Sequence, residues 1–328
     1  METVEKNTSI KEVDKIVVRF SGDSGDGMQL TGMQFTDTAA LLGNDLSTFP
    51  DYPSEIRAPM GTVAGVSGFQ VHFGSTEIYT PGDQYDVLVA MNAAALKVDL
   101  PRLKNGGIII ANTQGFDARN LKLANYPDGF NPLDSGHLTN YIVHKVDVTK
   151  HTKECLVDSG LGMKEVERSK NMFVLGLLLW VFDKPLHYTE SFIKEKFAKK
   201  PEIADANLKA LQAGWNYGEN TEIFTTQFKV APAKLPAGDY RNITGNHATA
   251  IGLIAAAEKA GLPLFLGSYP ITPATDILHE LAKYRNNEIK TFQAEDEIAG
   301  ICSAIGASYT GSLAVTTTSG PGMALKTE

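Results

Sequence analysis

The sequence predicts an α/β protein in two parts. Three observations carry that expectation: short apolar runs with strand character alternate with helical patterns, a connector with prolines and a glycine interrupts them at residues 229–242, and the alternation then restarts. Strands alternating with helices argue for a mainly parallel layered fold. Residues 1–14 are polar and read as a tail. Strand Ile16–Phe20 runs into Gly22-Asp23-Ser24-Gly25-Asp26-Gly27, and a helix is expected from Met28 to Leu42. Further strand-like runs are Thr62–Phe73, Asp86–Met91, Gly107–Ala111 and Tyr141–Val146, with a helix over Ala93–Arg102. Met172–Phe182 is the longest apolar run and is far short of the roughly 20 residues needed to cross a bilayer. Its Leu, Met and Trp residues suit a buried helix, and Gly176 lets a neighbour approach closely. Helices Thr189–Lys199 and Glu202–Tyr217 follow, the second announced by Pro201.

The connector, Lys229 to Asn242, has little periodicity and marks a domain boundary. Beyond it, helix Asn246–Ala260 ends at Gly261, a common helix terminator. Strand Leu264–Ser268 leads into Tyr269-Pro270-Ile271-Thr272-Pro273 and a helix over Ala274–Tyr284. Strand Ile289–Gln293 leads to a helix that opens at Glu295-Asp296-Glu297 and closes at Gly311. Strand Leu313–Thr317 leads into Thr317-Thr318-Ser319-Gly320-Pro321-Gly322 and the start of another helix. In an open parallel sheet the loops leaving the carboxyl ends of the strands line one edge and form the ligand crevice. Three polar loops are therefore expected to converge on one site. Three strands do not make a stable sheet covered on both faces. The expectation is a fragment of a longer polypeptide, with folding against a partner as the alternative.

Composition narrows the class. A chain of 328 residues with 43% hydrophobic and 21% charged residues has ordinary globular make-up. A net charge of −8 argues against non-specific nucleic-acid binding. The stretch Met1–Lys15 has no apolar centre and does not read as a secretory signal, so a reducing cytoplasm is the expected compartment. Two cysteines, Cys155 and Cys302, are too few for a disulfide framework or for a four-cysteine iron–sulfur cluster within this chain. Both read as bystanders, Cys302 as packing within an apolar helix.

The first glycine loop invites a nucleotide reading and fits it poorly. A dinucleotide fingerprint has Gly-x-Gly-x-x-Gly, whereas Gly22, Gly25 and Gly27 have the reverse order. A phosphate loop needs a lysine, and here Asp23 and Asp26 would repel a phosphate. A tight strand-to-helix turn with Asp and Ser capping free amides is the plainer reading. Gly25-Asp26-Gly27 also mimics the diphosphate–magnesium signature of thiamine enzymes, which requires an asparagine roughly 25 residues on. Tyr52, Pro53, Ser54 and Glu55 occupy that window, so this half of a thiamine site is absent and no metal ligand is assigned.

Each second-segment loop also has an ordinary reading. Thr272 before proline is a standard helix N-cap, worth about 1 kcal/mol. Acids in a first helical turn gain a few tenths to about 1 kcal/mol from the helix dipole. Three consecutive acids exceed what capping needs, so at least one is expected to face something else. Three such loops at one sheet edge favour a binding site over three separate turns.

These residues resemble a known family. Gly245-Asn246, Tyr269 to Pro273, Gln293 to Glu297, Gly306-Ala307 and Thr316 to Gly322 are similar to the pyrimidine-binding domain of the 2-oxoacid:ferredoxin oxidoreductases. Arg19 to Gly27, Tyr52 to Arg57 and Asp86 to Asn92 resemble that family's gamma domain. The gamma-then-alpha order resembles the fused alpha subunit of the 2-oxoglutarate type. The resemblance covers the chain from about residue 15. It implies a gamma domain at 15–228 and an incomplete pyrimidine-binding domain at 243–328.

The resemblance implies a site as well. Thiamine diphosphate would lie between this chain, which holds its aminopyrimidine, and a beta subunit carrying the diphosphate, Mg2+ and an iron–sulfur cluster. Glu297 matches the family's glutamate that hydrogen-bonds the pyrimidine ring nitrogen, and Thr272 matches its substrate-side threonine. Tyr269, Pro270, Ile271, Thr317, Thr318, Ser319 and Gly320 would line the cofactor. The implied reaction is oxidative decarboxylation of a 2-oxoacid, with coenzyme A taking the acyl group and ferredoxin the electrons, in a cytoplasmic hetero-oligomer without nucleic acid or membrane. Pyruvate or branched-chain substrates, a non-catalytic assembly module, and a nucleotide-binding protein using the first glycine loop remain as alternatives.

Overall fold

A computed structural model describes residues 9–53, 58–221, 223–284 and 288–328. They fall into two compact units, one running to Ala237 and the other from Gly238 to Glu328. In the first unit the order is β1 (Ser9–Glu12), β2 (Lys15–Asp23), α1 (Met28–Leu41), β3 (Asp45–Asp51), β4 (Val66–Gly74), β5 (Tyr85–Ala90), α2 (Ala93–Asp99) and β6 (Leu103–Asn112). Then come α3 (Ala118–Leu123), β7 (Ile142–Val146), α4 (Val148–Cys155), α5 (Met163–Arg168), α6 (Lys170–Val181), α7 (His187–Lys196), α8 (Pro201–Asn220) and β8 (Thr226–Lys229).

Six of these strands form one sheet in the order β3-β4-β2-β5-β6-β7. β2, β5, β6 and β7 run parallel, and β4 is antiparallel to both β2 and β3. β2 is buried along nearly its whole length because alternate side chains enter different cores. Ile16, Val18 and Phe20 join the cluster that contains α1 and α6, while Val17 joins the one that contains α2.

Several elements depart from the sequence reading. β3 escapes it because the strand is half exposed, holds Pro50 and shows no alternation. Residues 9–12, expected as part of a polar tail, form β1 and pair in parallel with β8. Four residues of the stretch Tyr52 to Arg57, 54–57, lie outside the described ones. The apolar run at 172–182 is the buried helix expected of it, and Gly176 does admit a neighbour. A Cβ on Gly176 would lie 1.9 Å from the carbonyl oxygen of Leu211 in α8, and one on Gly214 1.9 Å from that of Phe173 in α6. The two backbones cross in direct contact.

The second unit is smaller. Its order is α9 (Gly245–Ala260), β9 (Leu264–Ser268), α10 (Thr275–Leu281), β10 (Ile289–Gln293), α11 (Glu297–Tyr309), β11 (Leu313–Val315) and α12 (Gly320–Leu325). The sheet is fully parallel, in the order β10-β9-β11. Leu264 and Leu266 of the central strand pack with Ala250, Ala257, Ile277, Leu278 and Leu281 from α9 and α10. Successive strand residues face opposite sides, so Gly267 points the other way, toward α11. There a Cβ on Gly267 would lie 2.2 Å from Ser303 Oγ and 2.8 Å from Gly300 O. This close approach sets the amino end of α11 against the carboxyl end of β9.

Candidate functional site

All three strands of the second unit run the same way, so the loops after β9, β10 and β11 share one edge. After β10, Asp296 caps α11 by accepting the Ala299 amide at 2.7 Å. Capping thus engages one of the three consecutive acids and leaves Glu297, the first residue of the helix, for something else. Glu297 is half-buried, and its carboxylate makes no hydrogen bond or ion pair among the described residues. Its side chain lies over Gly322. A Cβ there would sit 2.7 Å from Glu297 Cγ, 3.0 Å from Oε1 and 2.1 Å from Thr318 Oγ1. Glycine at 322 therefore brings the last loop into contact with the acid.

The loop after β11 is held from two sides. Ser268, at the end of β9, donates to Thr317 O at 2.6 Å and pairs with Thr317 Oγ1 at 2.9 Å. Lys326 donates to Thr316 Oγ1 at 2.6 Å and to Thr317 O at 3.1 Å. Burial lowers the Lys326 pKa, and the Glu297 carboxylate works against that shift. Thr318 Oγ1 is buried and has no hydrogen-bond partner among the described residues, a condition that calls for an explanation because such groups are uncommon. Ser319 precedes α12 at the N-cap position without a side-chain capping bond, and Gly320 is exposed.

The loop after β9 starts at the same place and then leaves it. The Tyr269 amide nitrogen is 3.5 Å from where a Cβ on Gly300 would lie, so Tyr269 borders the first turn of α11. Tyr269, Pro270 and Ile271 are half-buried, whereas Thr272 is exposed. Thr272 is not the N-cap that its place before proline suggested: α10 starts at Thr275, with Ala274 at the cap. The Thr272–Pro273 peptide is cis. Asn246 of α9 anchors the turn by donating to Pro273 O at 2.9 Å. The structure thus gathers Tyr269, Glu297, Thr317 and Thr318, with Gly322 beneath them, and puts Thr272 at the exposed end of its turn.

Ser268, Lys326 and Asn246 carry this arrangement, and of them only Asn246 was singled out from the sequence. A serine closing a strand and a lysine closing a short helix look like ordinary terminal residues. Asn246 matched a family motif without a role attached to it.

The first-unit glycine loop is engaged internally. Asp23 accepts the Gly61 amide at 2.9 and 3.0 Å, and Asp26 accepts the Asp23 amide at 2.9 Å and faces Lys170 Nζ at 3.5 Å. Burial pushes the Asp23 carboxyl above the usual carboxylate range. Asp26 bonds an amide of the turn itself, whereas Asp23 takes the amide of the distant Gly61 and α1 has no side-chain cap; these carboxylate oxygens would repel a phosphate. Among the described residues no three His, Cys, Asp or Glu side chains gather where they could hold a metal, and no helix is long and apolar enough to cross a membrane.

An α/β chain whose second unit gathers strand-end loops around a half-buried acid is built like a cofactor-binding subunit of an α/β enzyme. The chain belongs to the pyruvate ferredoxin/flavodoxin oxidoreductase family, whose pattern matches residues 17–217. The family's thiamine diphosphate-binding pattern matches residues 256–328. Over 97% of its length the chain is 56% identical to the 2-oxoglutarate oxidoreductase subunit KorA of Mycobacterium tuberculosis, of which it covers 48%. Over 52% of its length it is 30% identical to subunit alpha of the 2-oxoacid:ferredoxin oxidoreductase 2 of Aeropyrum pernix, of which it covers 28%. It also resembles the solved 2-oxoglutarate:ferredoxin oxidoreductase from Magnetococcus marinus with 2-oxoglutarate, coenzyme A and succinyl-CoA bound. That match has a TM-score of 0.70 at 29% identity and covers 96% of this chain and 49% of that one. The chain therefore spans at most about half the length of these relatives.

Proposed function

We propose that this chain is the alpha subunit, or the amino-terminal part of one, of a cytoplasmic 2-oxoglutarate:ferredoxin oxidoreductase. In this reading residues 15–228 are the gamma domain and 243–328 the pyrimidine-binding domain. The observation that carries it is Glu297, a half-buried carboxylate that has no partner among the described residues, at an edge where strand-end loops meet. The similarity to KorA and to the Magnetococcus enzyme supports the choice of 2-oxoglutarate.

The residues present fit the aminopyrimidine half of thiamine diphosphate. Glu297 offers an unengaged acceptor to a ring N–H, and Thr318 offers a buried hydroxyl beside it. Thiamine diphosphate, when bound, supplies the carbanion chemistry by which a 2-oxoacid loses carbon dioxide. Glu297 Oε1 or Oε2 would accept the ring N–H in a charge-assisted bond worth about 1.5–3 kcal/mol. By holding a proton on that nitrogen it would select the tautomer on which carbanion formation depends. Tyr269, Pro270, Ile271 and Thr317 to Gly320 would wall the ring, and the exposed Thr272 hydroxyl would meet the oxoacid. A beta subunit would bring the diphosphate site, Mg2+ and the iron–sulfur cluster, with ferredoxin and coenzyme A as the further reactants in a hetero-oligomer.

The test is copurification with the cognate beta-type subunit and an assay of viologen reduction that requires 2-oxoglutarate and coenzyme A. Pyruvate and branched-chain 2-oxoacids are run in parallel to rank the substrates. Glu297→Gln is expected to lower the rate about 10²–10⁴-fold with the fold intact. Full activity in that variant would remove Glu297 from the mechanism.

A further inference from the structure

We infer that the first part of the connector, residues 229–233, is a releasable strap: Asn44, oriented by Lys184, docks it on the first unit, and it opens as a local step before that unit unfolds.

A stretch with two prolines and little periodicity reads as an extended tether. Its first five residues are nevertheless bound along their length. The Val13 amide donates to Lys229 O at 3.0 Å, and the Ala233 amide donates to Gly43 O at 2.8 Å. Between them Asn44 Nδ2 donates to Ala231 O at 2.8 Å and to Val230 O at 3.5 Å. Gly43, at φ 81°, makes the room, since a Cβ there would lie 3.3 Å from Pro232 Cβ. The Asn44 amide has one accepting oxygen and one donating NH2, and only the second suits two carbonyls. Lys184 Nζ donates to Asn44 Oδ1 at 2.9 Å. An ammonium has no lone pair to offer, so the oxygen turns to the lysine and the NH2 to the strap.

The strap is lightly held. Val230 packs on the core, whereas Lys229, Ala231 and Pro232 are exposed. Segments with few buried contacts and solvent-facing backbone bonds lie at the low-stability end of a fold. The latch beneath it is loaded. Asn44 and Lys184 are both buried, and burial lowers the lysine pKa from 10.5 to about 8. Asp183, next in the chain, is the acid whose charge works against that shift. On the elements around the ammonium, Asp37 of α1 bonds Gln34, Asp45 of β3 accepts the Ile78 amide, and His72 of β4 faces Thr80 O. Lifting the strap uncovers Asn44 and returns the lysine head to water. The docked form then keeps its proton only below about 8, the opened form up to about 10.5. Proton uptake favours opening, and the strap should tighten as pH rises through that window. Release of five residues gives the chain beyond them up to roughly 17 Å of further reach.

The test is tryptic cleavage after Lys229 in the native full chain, followed by mass spectrometry. Each rate is referenced to a synthetic peptide of residues 224–238 at the same pH and urea concentration, which removes the response of the protease itself. The parent is expected to be cut about 10²-fold more slowly than the peptide. Its urea dependence should be shallower than that of global unfolding, because a local opening exposes less surface. Between pH 8 and 10 the parental rate should fall up to about 10²-fold relative to the peptide, and in Lys184→Met it should stay level. Asn44→Asp still accepts from Lys184 but has nothing to donate to Val230 O and Ala231 O. It should be cut about tenfold faster than the parent with its thermal midpoint held or raised. Ala233→Pro removes the amide that bonds Gly43 O and leaves the core untouched. Referenced to a peptide with the same substitution, it should also be cut faster, and it decides the matter should Asn44→Asp not fold.

Cleavage of Asn44→Asp at the parental rate would overturn the inference. So would a parental rate whose urea dependence matches global unfolding, since the segment would then be an integral part of the fold. A parental rate that does not fall relative to the peptide as pH rises would take Lys184 out of the latch, and the inference with it.

Discussion

Two loops in this chain share a plan, a parallel strand running through a glycine-rich turn into a helix, and they differ in where their polar groups point. At 22–27 both acids turn inward, Asp23 to the Gly61 amide and Asp26 to the Asp23 amide and Lys170. At 316–322, among the described residues, the buried Thr318 hydroxyl has no hydrogen-bond partner and the neighbouring Glu297 carboxylate makes no hydrogen bond or ion pair. Glycine pattern alone does not set the two loops apart; satisfaction of their polar groups does. The surroundings follow suit. The first unit buries β2 on both faces, whereas β11 is half exposed along its length. Substitutions in the first unit should therefore register as stability, and those in the second as binding and rate.

The harshest test is Gly176→Val at the crossing of α6 and α8. The added Cβ would lie 1.9 Å from a backbone carbonyl that cannot swing aside. Overpacking of that kind costs about 3 kcal/mol or more, a large share of the roughly 5–15 kcal/mol that holds a domain. Both tryptophans, Trp180 and Trp215, lie in the first unit, so their fluorescence in a denaturant titration reports it selectively. An unchanged midpoint would show that the two helices do not cross so closely.

A second first-unit test uses pH. Lys184 is 5% exposed, donates to Asn44 Oδ1 at 2.9 Å and lies over the Phe73 ring at 4.8 Å. Burial lowers its pKa from 10.5 to about 8. The unfolded chain therefore binds a proton that the folded chain has lost between those two values, and stability should rise with pH across that window. At 1.36 kcal/mol per unit the rise is at most roughly 3 kcal/mol. It should be absent in Lys184→Met. A flat profile in the parent chain over this range would mean that the ammonium is not buried as a charge.

Much of this division was legible in the residues. Strands Leu264–Ser268 and Ile289–Gln293 agree with the coordinates to the residue, since apolar runs bounded by proline, glycine and acids leave little choice of register. The helix at 172–182 was legible from length and apolarity. β3 was not, because an edge strand needs no alternation, and β1 depends on pairing with residues more than two hundred positions away. At the site, the acid and the glycine–proline bend could be read from their local pattern. Ser268 and Lys326 could not, because their roles come from neighbours that only the sheet brings together.

Gly322→Ala probes the second loop. The new Cβ would strike Thr318 Oγ1 at 2.1 Å and Glu297 Cγ at 2.7 Å, both on side chains that can turn away. Stability should change by about 1 kcal/mol or less. The acid, however, would be displaced, and misplacement by about 1 Å can cost roughly 10²-fold in rate. Viologen assay and thermal midpoint, read together, check this. Equal losses in both would place Gly322 among the purely structural glycines and weaken the contrast between the two loops.

The smallest effect discriminates most finely, because it differs in sign between the loops. Thr318→Val replaces a buried hydroxyl that has no partner with a methyl of similar size. Removing an unsatisfied polar group should stabilise the ligand-free chain by about 1 kcal/mol. Asp26→Ala does the reverse in the first loop, since it strips the Asp23 amide of its acceptor and Lys170 of its counter-charge, and about 1–2 kcal/mol should be lost. Calorimetric melts of the two variants beside the parent give the comparison. Thr318→Val should also bind thiamine diphosphate more weakly than the parent, although its fold is firmer, because in the proposed site the Thr318 hydroxyl would meet the ring. Destabilisation by Thr318→Val would mean that the hydroxyl already has a partner within the chain, and the distinction between the loops would be lost.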